Sequence, residues 1–371
     1  MSDLLNIPLL NFKEISFRTK FMSTKKISLQ TVVTIFLGLV LCVVVLRSLS
    51  SILQPLMIAL FFCYLVIPFR NFLCRHKCPQ TLANILLPIL VILFLIVFSW
   101  IIIQNVQTLY LKLPEYRVKM EGMLKSIFSL AIQYVPDLKA RIQSIDIPTD
   151  KILGFVGSGM GTFLGFLKNF LSTSMVVGFF LVFLLLESRV LPDRIIKAYG
   201  KKRGEEIQKL IIKINQGVLT YIKVKTAVSF LVAALCSIIL FFFGVDLWLF
   251  WGIIIFLANF IPYVGSILAV IPPILVCILQ TGYFVKPFFL SVMLVLAQTF
   301  VGNFLEPKIA GKVLNLSPLL VIISLAFWAW LWGIVGMVLA VPILVSIKII
   351  LEHLPSTHSF AQLMGDRAQS S

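Results

Sequence analysis

The chain has 371 residues, of which 60% are hydrophobic and only 13% charged, and 32 Lys and Arg against 15 Asp and Glu leave a net charge of +17. Soluble globular chains carry about 25% charged residues, and several runs here exceed the roughly 18 consecutive apolar residues of a membrane span, so a soluble globular fold is excluded. The positive charge is not a nucleic-acid signature: it falls between the apolar runs, where Lys and Arg set orientation and attract anionic lipid.

The composition predicts an all-α, polytopic helical membrane protein with about eight spans, an amphipathic helical insertion and some Pro/Gly-broken helices or hairpins. Residues 1–27 form a basic tail with Lys13, Arg18, Lys20, Lys25 and Lys26, expected to stay in the cytoplasm. Residues 28–103 hold the first three spans. The first is too long for the apolar part of a signal peptide and lacks a cleavage pattern, so it is expected to stay uncleaved. In Cys74-Arg75-His76-Lys77-Cys78 three ligand types crowd into one short loop, whereas structural zinc wants four. It is taken as a basic loop, and no metal or cofactor is expected.

Residues 104–170 mix charges of both signs and read as an extracytoplasmic amphipathic helical insertion. Tyr116, Met120, Met123, Leu124, Ile127, Phe128 and Ala131 recur at helical spacing there. Gly154, Gly157, Gly159, Gly161 and Gly165 follow, a small-residue stretch suited to close helix packing in lipid. This region is either a surface-lying spacer or a partner contact. Residues 171–186 are the fourth span. Residues 187–225 form a basic cytoplasmic helix whose stripe of Ile207, Leu210, Ile211, Ile214, Val218, Tyr221 and Ile222 is expected to lie on or just under the membrane. Its Lys and Arg are expected to face solvent and lipid headgroups. The tail 353–371 is polar and expected to be disordered.

Residues 226–352 form the apolar core, and its organising stretch runs from Asn259 to Pro273. Three prolines and a glycine sit where a continuous helix would want none: Pro262, Gly265, Pro272 and Pro273. Proline removes a backbone donor, and in lipid the freed groups must be re-satisfied by protein or line a watery cavity. A broken helix at membrane depth points to a transporter's binding site. A tight turn at the membrane surface is the alternative, since Pro-Tyr-x-Gly is also turn chemistry. Gly265 is expected to supply the left-handed backbone angles that only glycine adopts cheaply. Pro318 to Leu351 is too long for one span and too short for two, and Gly333 and Gly336 are expected to fold it into a hairpin with Pro342 in its second arm. Whether 259–273 and 331–342 are re-entrant or fully spanning stays open. Val264-Gly265-x-x-Leu268-Ala269-Val270 is echoed by Val335-Gly336-x-x-Leu339-Ala340-Val341, as in transporters with internal repeats.

Thr299, Gly302, Asn303 and Glu306 are spaced to share one helix face. An ionisable residue in or at the end of a span is costly to desolvate and therefore a functional candidate. Glu306 is the leading candidate for binding a proton or cation, and the alternative is a headgroup-level carboxylate paired with Lys308 or Lys312. Gln298 sits off that face and is expected to be structural. Asp246 lies in a short outer turn and is expected to have no functional role. Asn259 could meet a polar solute or cap freed carbonyls. The candidate transport pathway is thus Asn259, Pro262, Tyr263, Gly265, Thr299, Asn303, Glu306 and Pro307.

An ordered set of motifs carries a family resemblance: Tyr221-x-x-Val-Lys225-Thr226, Gly244-Val245-Asp246, Asn259-Phe260-Ile261-Pro262-Tyr263-Val264-Gly265-Ser266, Gly302-Asn303-Phe304-Leu305-Glu306-Pro307-Lys308, and Trp332-Gly333-x-x-Gly336-x-x-Leu339-Ala340-Val341-Pro342. Over Val218 to Glu352 the chain resembles the AI-2E family of membrane permeases. The resemblance implies a multi-pass inner-membrane permease, a homo-oligomer, that transports or exports a small polar solute, with proton or sodium coupling. It leaves the solute open. Sodium/proton antiport and a passive channel or oligomeric scaffold are the alternatives. An enzyme is not expected: His76, His353 and His358 all lie in loops or the tail, and no second intramembrane aspartate supports a protease. No Walker-type glycine loop points to ATP drive.

Overall fold

The structure is a computed structural model that describes residues 29–134, 149–310 and 316–354, with Thr357 and Met364. Among the described residues it is helical, without strands: α1 Leu29–Ser48, α2 Ser50–Arg75, α3 Gln80–Tyr134, α4 Thr149–Tyr199, α5 Lys201–Phe242, α6 Trp248–Ala258, α7 Val264–Thr281, α8 Val285–Phe300, a π-helical segment Val301–Leu305, α9 Glu306–Ala310 and α10 Pro318–His353. Among the described residues seven helices are long and apolar enough to cross a membrane, and Phe36–Ser48 and Trp248–Ala258 are shorter apolar helices. This is an all-α, multi-pass membrane protein.

The chain divides into two units, residues 1–49 and 50–371. The first contains α1, which exposes Phe36, Leu37, Leu39 and Leu41 along its length. A helix that is apolar all round belongs in a bilayer or a core.

The second unit holds the remaining helices, some of them longer than the sequence suggests. The third span and the amphipathic helix after it are one helix, α3, of 55 residues. At 1.5 Å per residue it is roughly 80 Å long, more than twice the roughly 30 Å hydrocarbon core, so part of it projects beyond the bilayer. Pro114 lies inside it and removes one backbone hydrogen bond without ending it. The side chains of Leu124, Ile127, Phe128 and Ala131 lie outside the described residues. Helix α4 runs from Thr149 through the fourth span to Tyr199 and packs against α3. The predicted glycine packing does not occur within this chain at Gly154, Gly161 and Gly165, where an added Cβ would meet nothing. Gly157 and Gly159 have no described surroundings. Close approach comes further along, at Gly178, whose added Cβ would strike Ile92.

The basic segment breaks at Gly200 (φ 76°), and the remainder of it continues as α5 into the fifth span. The expected surface stripe is therefore partly a core stripe: Val218, Tyr221 and Ile222 are buried against Val321, Leu325, Ala340, Val341, Leu344 and Val345 of α10. A second cluster joins α3, α5, α6, α7 and α8 around Val228, Val232, Cys236, Ile255, Leu290 and Leu294. A third joins α2, α3 and α4 around Ala59, Cys63, Leu87, Val177 and Leu181.

Both broken stretches are helical hairpins. Helix α6 has 11 residues, roughly 16 Å, about half a span. The chain turns at Asn259–Tyr263, and α7 packs back on α6. The residue with positive φ in this turn is Tyr263 (φ 61°), not Gly265. What Gly265 supplies is close approach: an added Cβ would fall 1.7 Å from the Ala258 carbonyl oxygen. In α10 the turn is at Gly333 (φ 62°, ψ −140°), and Ser324 on the first arm donates to the Ala340 carbonyl on the second at 3.3 Å. Gly336 repeats the role of Gly265, since its Cβ would lie 2.0 Å from the Trp328 carbonyl oxygen. The sequence echo thus marks two similar hairpin tips.

Backbone cannot yield as a flexible side chain does, and overpacking costs about 1–3 kcal/mol. Gly336→Ala is expected to lower the melting temperature of purified protein in detergent. Gly122→Ala is the control, at an exposed helical site where the added methyl meets nothing and alanine is the better helix former by about 1 kcal/mol. It should hold or raise the melting temperature. Equal stability of the two variants would contradict the close-approach role.

Candidate functional site

Three of the core's polar residues lie on one face of α5. Tyr221, Lys225 and Ser229 are spaced by four, so they stack along one side of the helix. That face is buried: Tyr221 is 4%, Lys225 4% and Ser229 0% exposed. A buried lysine must find a counter-charge or lose its proton, and Lys225 finds Glu306. Its Nζ donates to Glu306 Oε1 at 2.9 Å.

Glu306 is brought there by the π-helical segment after α8. The Glu306 N–H bonds to the carbonyl of Val301, five residues back. Such π turns widen the helix by one residue and recur at functional sites. Despite the widened turn, Thr299, Gly302, Asn303 and Glu306 all face one cavity. The tip of the α6–α7 hairpin closes it from another side with Asn259, Pro262 and Tyr263, and Leu316, Val321 and Val341 from the α10 region complete the wall. The cavity measures about 690 Å³, within the 300–1,000 Å³ typical of small-molecule sites.

Of the eight predicted pathway residues, six line this cavity: Asn259, Pro262, Tyr263, Thr299, Asn303 and Glu306. Asn259 is buried at the end of α6, and its Nδ2 donates to Ser229 Oγ at 3.1 Å. Gly265 lies outside the wall and shapes the hairpin instead. Pro307 falls in α9, but its side chain is outside the described residues.

Three residues of the wall were not foreseen. Lys225 belongs to the basic run expected to face solvent, yet it is buried and ion-paired. Glu306 consequently pairs with Lys225 of another helix rather than with Lys308. Tyr221 lies in the same buried stripe, and among the described residues its hydroxyl has no hydrogen-bond partner. Gln298, expected to be structural, lines the cavity with its Nε2 likewise unpartnered. The four-residue spacing of Tyr221, Lys225 and Ser229 is the signal that could have found this face.

Asp246 is not the inert turn the sequence suggests. Its Oδ2 accepts from Lys112 Nζ and from Tyr116 Oη, each at 2.8 Å. Its backbone N–H donates to Gln280 Oε1 at 3.1 Å, and its carbonyl accepts from Trp251 Nε1 at 3.2 Å. One turn thereby ties α3, α6 and the end of α7 together. Burial works against the carboxylate, but the hydrogen bonds of Lys112 and Tyr116 and the charges of Lys112 and Lys119 outweigh it and hold the pKa below the ordinary aspartate value. A depressed carboxylate pKa stabilises the fold above the unfolded value, and that contribution is lost as pH falls through the folded value. Asp246→Asn is expected to cost about 1.5–3 kcal/mol, the range of hydrogen bonds to charged groups. The variant should melt earlier than wild type at neutral pH, and the gap should close in strong acid. A gap independent of pH would contradict this.

Broken helices that close around a cavity with a half-buried ion pair define, within a multi-pass helical membrane protein, the class to which solute transporters belong. The chain belongs to the AI-2E family of transporters, whose family profile matches residues 30–356. It is 29% identical to the AI-2 transport protein TqsA of Escherichia coli K12 over 340 residues, 90% of this chain and 95% of that protein. It is 29% identical over 338 residues to a "Putative transport protein" of Haemophilus influenzae, covering 89% of this chain and 95% of the relative. A protein of the same name from Borreliella burgdorferi is 30% identical over 324 residues, 85% of either chain.

Proposed function

We propose that this protein is a secondary permease that moves a small polar solute through the cavity between the α6–α7 hairpin, α5 and the π segment. The observation that carries the reading is that Asn259, Pro262, Tyr263, Thr299, Asn303 and Glu306 meet Lys225 around one space. The AI-2 transport activity in the name of the Escherichia coli relative supports a solute of that size and polarity. Coupling to a proton or sodium ion is assigned to Glu306, the acidic residue among those lining the cavity. An occupied carboxylate releases Lys225 and a free one holds it, so the pair has two arrangements that an ion gradient can bias. A homo-oligomer in an inner membrane, acting without enzymatic chemistry, belongs to the same proposal. Mass measurement of the detergent-purified protein tests the oligomer.

Purified protein in liposomes, screened for solutes including AI-2 under imposed proton or sodium gradients, tests the function. Wild type is expected to accumulate solute against its gradient only when the ion gradient is present. Glu306→Gln should lose accumulation and keep solute exchange, which needs no net ion movement. Removing one partner of a buried pair destabilises, so flux is compared per monodisperse, folded molecule. Full, gradient-dependent accumulation by Glu306→Gln would remove Glu306 from the mechanism. Solute flux that never responds to either gradient would favour a passive channel.

The Lys and Arg excess in residues 1–27, 70–77 and 187–225 supports both termini on the cytoplasmic side, with 104–170 outside. A reporter fused at Ser144 that is active only outside the cytoplasm should give signal. Activity of a cytoplasm-only reporter at Ser144 would overturn this topology.

A further inference from the structure

We propose that the cavity takes a solute carrying an oxyanion on an apolar body, held by Lys225, Tyr221 and Gln298 when Glu306 is protonated. The inference rests on the permease reading above and names its substrate class. Lys225 has an ammonium with three donor protons, and its described hydrogen bond, to Glu306, uses one of them. Tyr221, one turn away, is 4% exposed and its hydroxyl has no partner among the described residues. The Nε2 of Gln298 is also without a partner among the described residues, and all three residues line the same space. Buried donors left unpaired cost about 1–3 kcal/mol each, so such a set calls for an acceptor group.

Charge points the same way. The titratable groups on the described walls are Tyr221 and Lys225 of α5, Tyr263 at the α7 hairpin tip and Glu306 of α9, while α10 contributes the apolar Val321 and Val341. With Glu306 ionised the cavity is neutral, and Lys225 is satisfied. A proton arriving on the Glu306 carboxylate leaves Lys225 as an unbalanced buried cation. An anion restores neutrality there, whereas a cation would add to the imbalance. The side-chain exposures agree: Glu306 at 32% is the accessible partner that exchanges protons, and Lys225 at 5% is the fixed one. Beside Asn259, Ser266, Thr299 and Asn303 the wall has an apolar part, with Val232, Ile267, Val270, Val295, Val321 and Val341, which suits a hydrocarbon or aromatic body.

Binding of radiolabelled benzenesulfonate to the purified full chain tests the site. Its charge does not change with pH, so any pH dependence belongs to the protein. Benzenesulfonamide is the neutral comparison and benzylamine the cationic one. Benzenesulfonate is expected to bind in preference to both. Its affinity should rise on acidification, because only the fraction with a protonated carboxyl beside Lys225 is competent. Glu306→Gln should bind it tightly at every pH. Tyr221→Phe should weaken binding about two- to tenfold, one hydrogen bond's worth. Lys225→Met with Glu306→Gln replaces the whole pair by neutral groups, a change proteins often tolerate, and should abolish binding. Preference for benzylamine or benzenesulfonamide overturns the proposal. So does a Glu306→Gln variant that fails to bind benzenesulfonate, or binding that survives in the double variant. Benzenesulfonate bound as expected but never moved in proteoliposomes would support the anion site and sink the permease reading. Gradient-driven uptake of a neutral solute, with no benzenesulfonate binding, would do the reverse.

Discussion

Burying one lysine in an apolar bundle is the constraint from which the arrangement of this site follows. Moving an ammonium out of water costs several kcal/mol even after relaxation, and only a well-placed counter-charge repays it. Lys225 sits on α5 among Val218, Ile222, Val228 and Val232. Its partner must therefore come from another helix, and Glu306 does, 81 positions along the chain. The π turn before Glu306, the half-length α6 and the folded α10 all leave room around that pair. A continuous span in any of these places would fill the space with side chains.

The two hairpins solve the same problem twice. Each reverses the chain and then packs a glycine against a carbonyl near the end of its first arm: Gly265 on Ala258, Gly336 on Trp328. That contact closes each hairpin tightly, while Tyr263 and Val264 at the first tip and Gly333 and Ile334 at the second stay exposed. The tip of the first hairpin supplies part of the cavity wall, and both arms of the second supply another part through Val321 and Val341. Far from the cavity, the Asp246 turn ties α3 to the base of the first hairpin, so the long helical arm and the site share one anchored frame.

Much of this was legible in the chain. Hydropathy gave the all-α membrane class, the Pro and Gly interruptions located both hairpins, and the spacing of Thr299, Gly302, Asn303 and Glu306 found one wall of the cavity. Periodicity failed where tertiary pairing decides. Lys225 looks like one more charge in a basic run, and only its four-residue spacing from Tyr221 and Ser229 marks a face that turns inward. Tyr263 rather than Gly265 carries the positive φ, because the hairpin needs glycine for space and not for angle. Residues 104–134 change composition without changing conformation. A helix that leaves the bilayer exchanges lipid for water and stays a helix, so a composition boundary was not a structural one.

The central claim is that the carboxylate beside Lys225 changes protonation with the state of the transporter. Infrared difference spectroscopy of the purified protein in lipid measures this directly, by comparing mildly basic with mildly acidic buffer and wild type with Glu306→Gln. The account predicts a protonated-carboxyl stretch that grows on acidification in wild type and is missing from the variant. Wild-type and variant difference spectra that coincide would show that Glu306 keeps one protonation state throughout, and would contradict it.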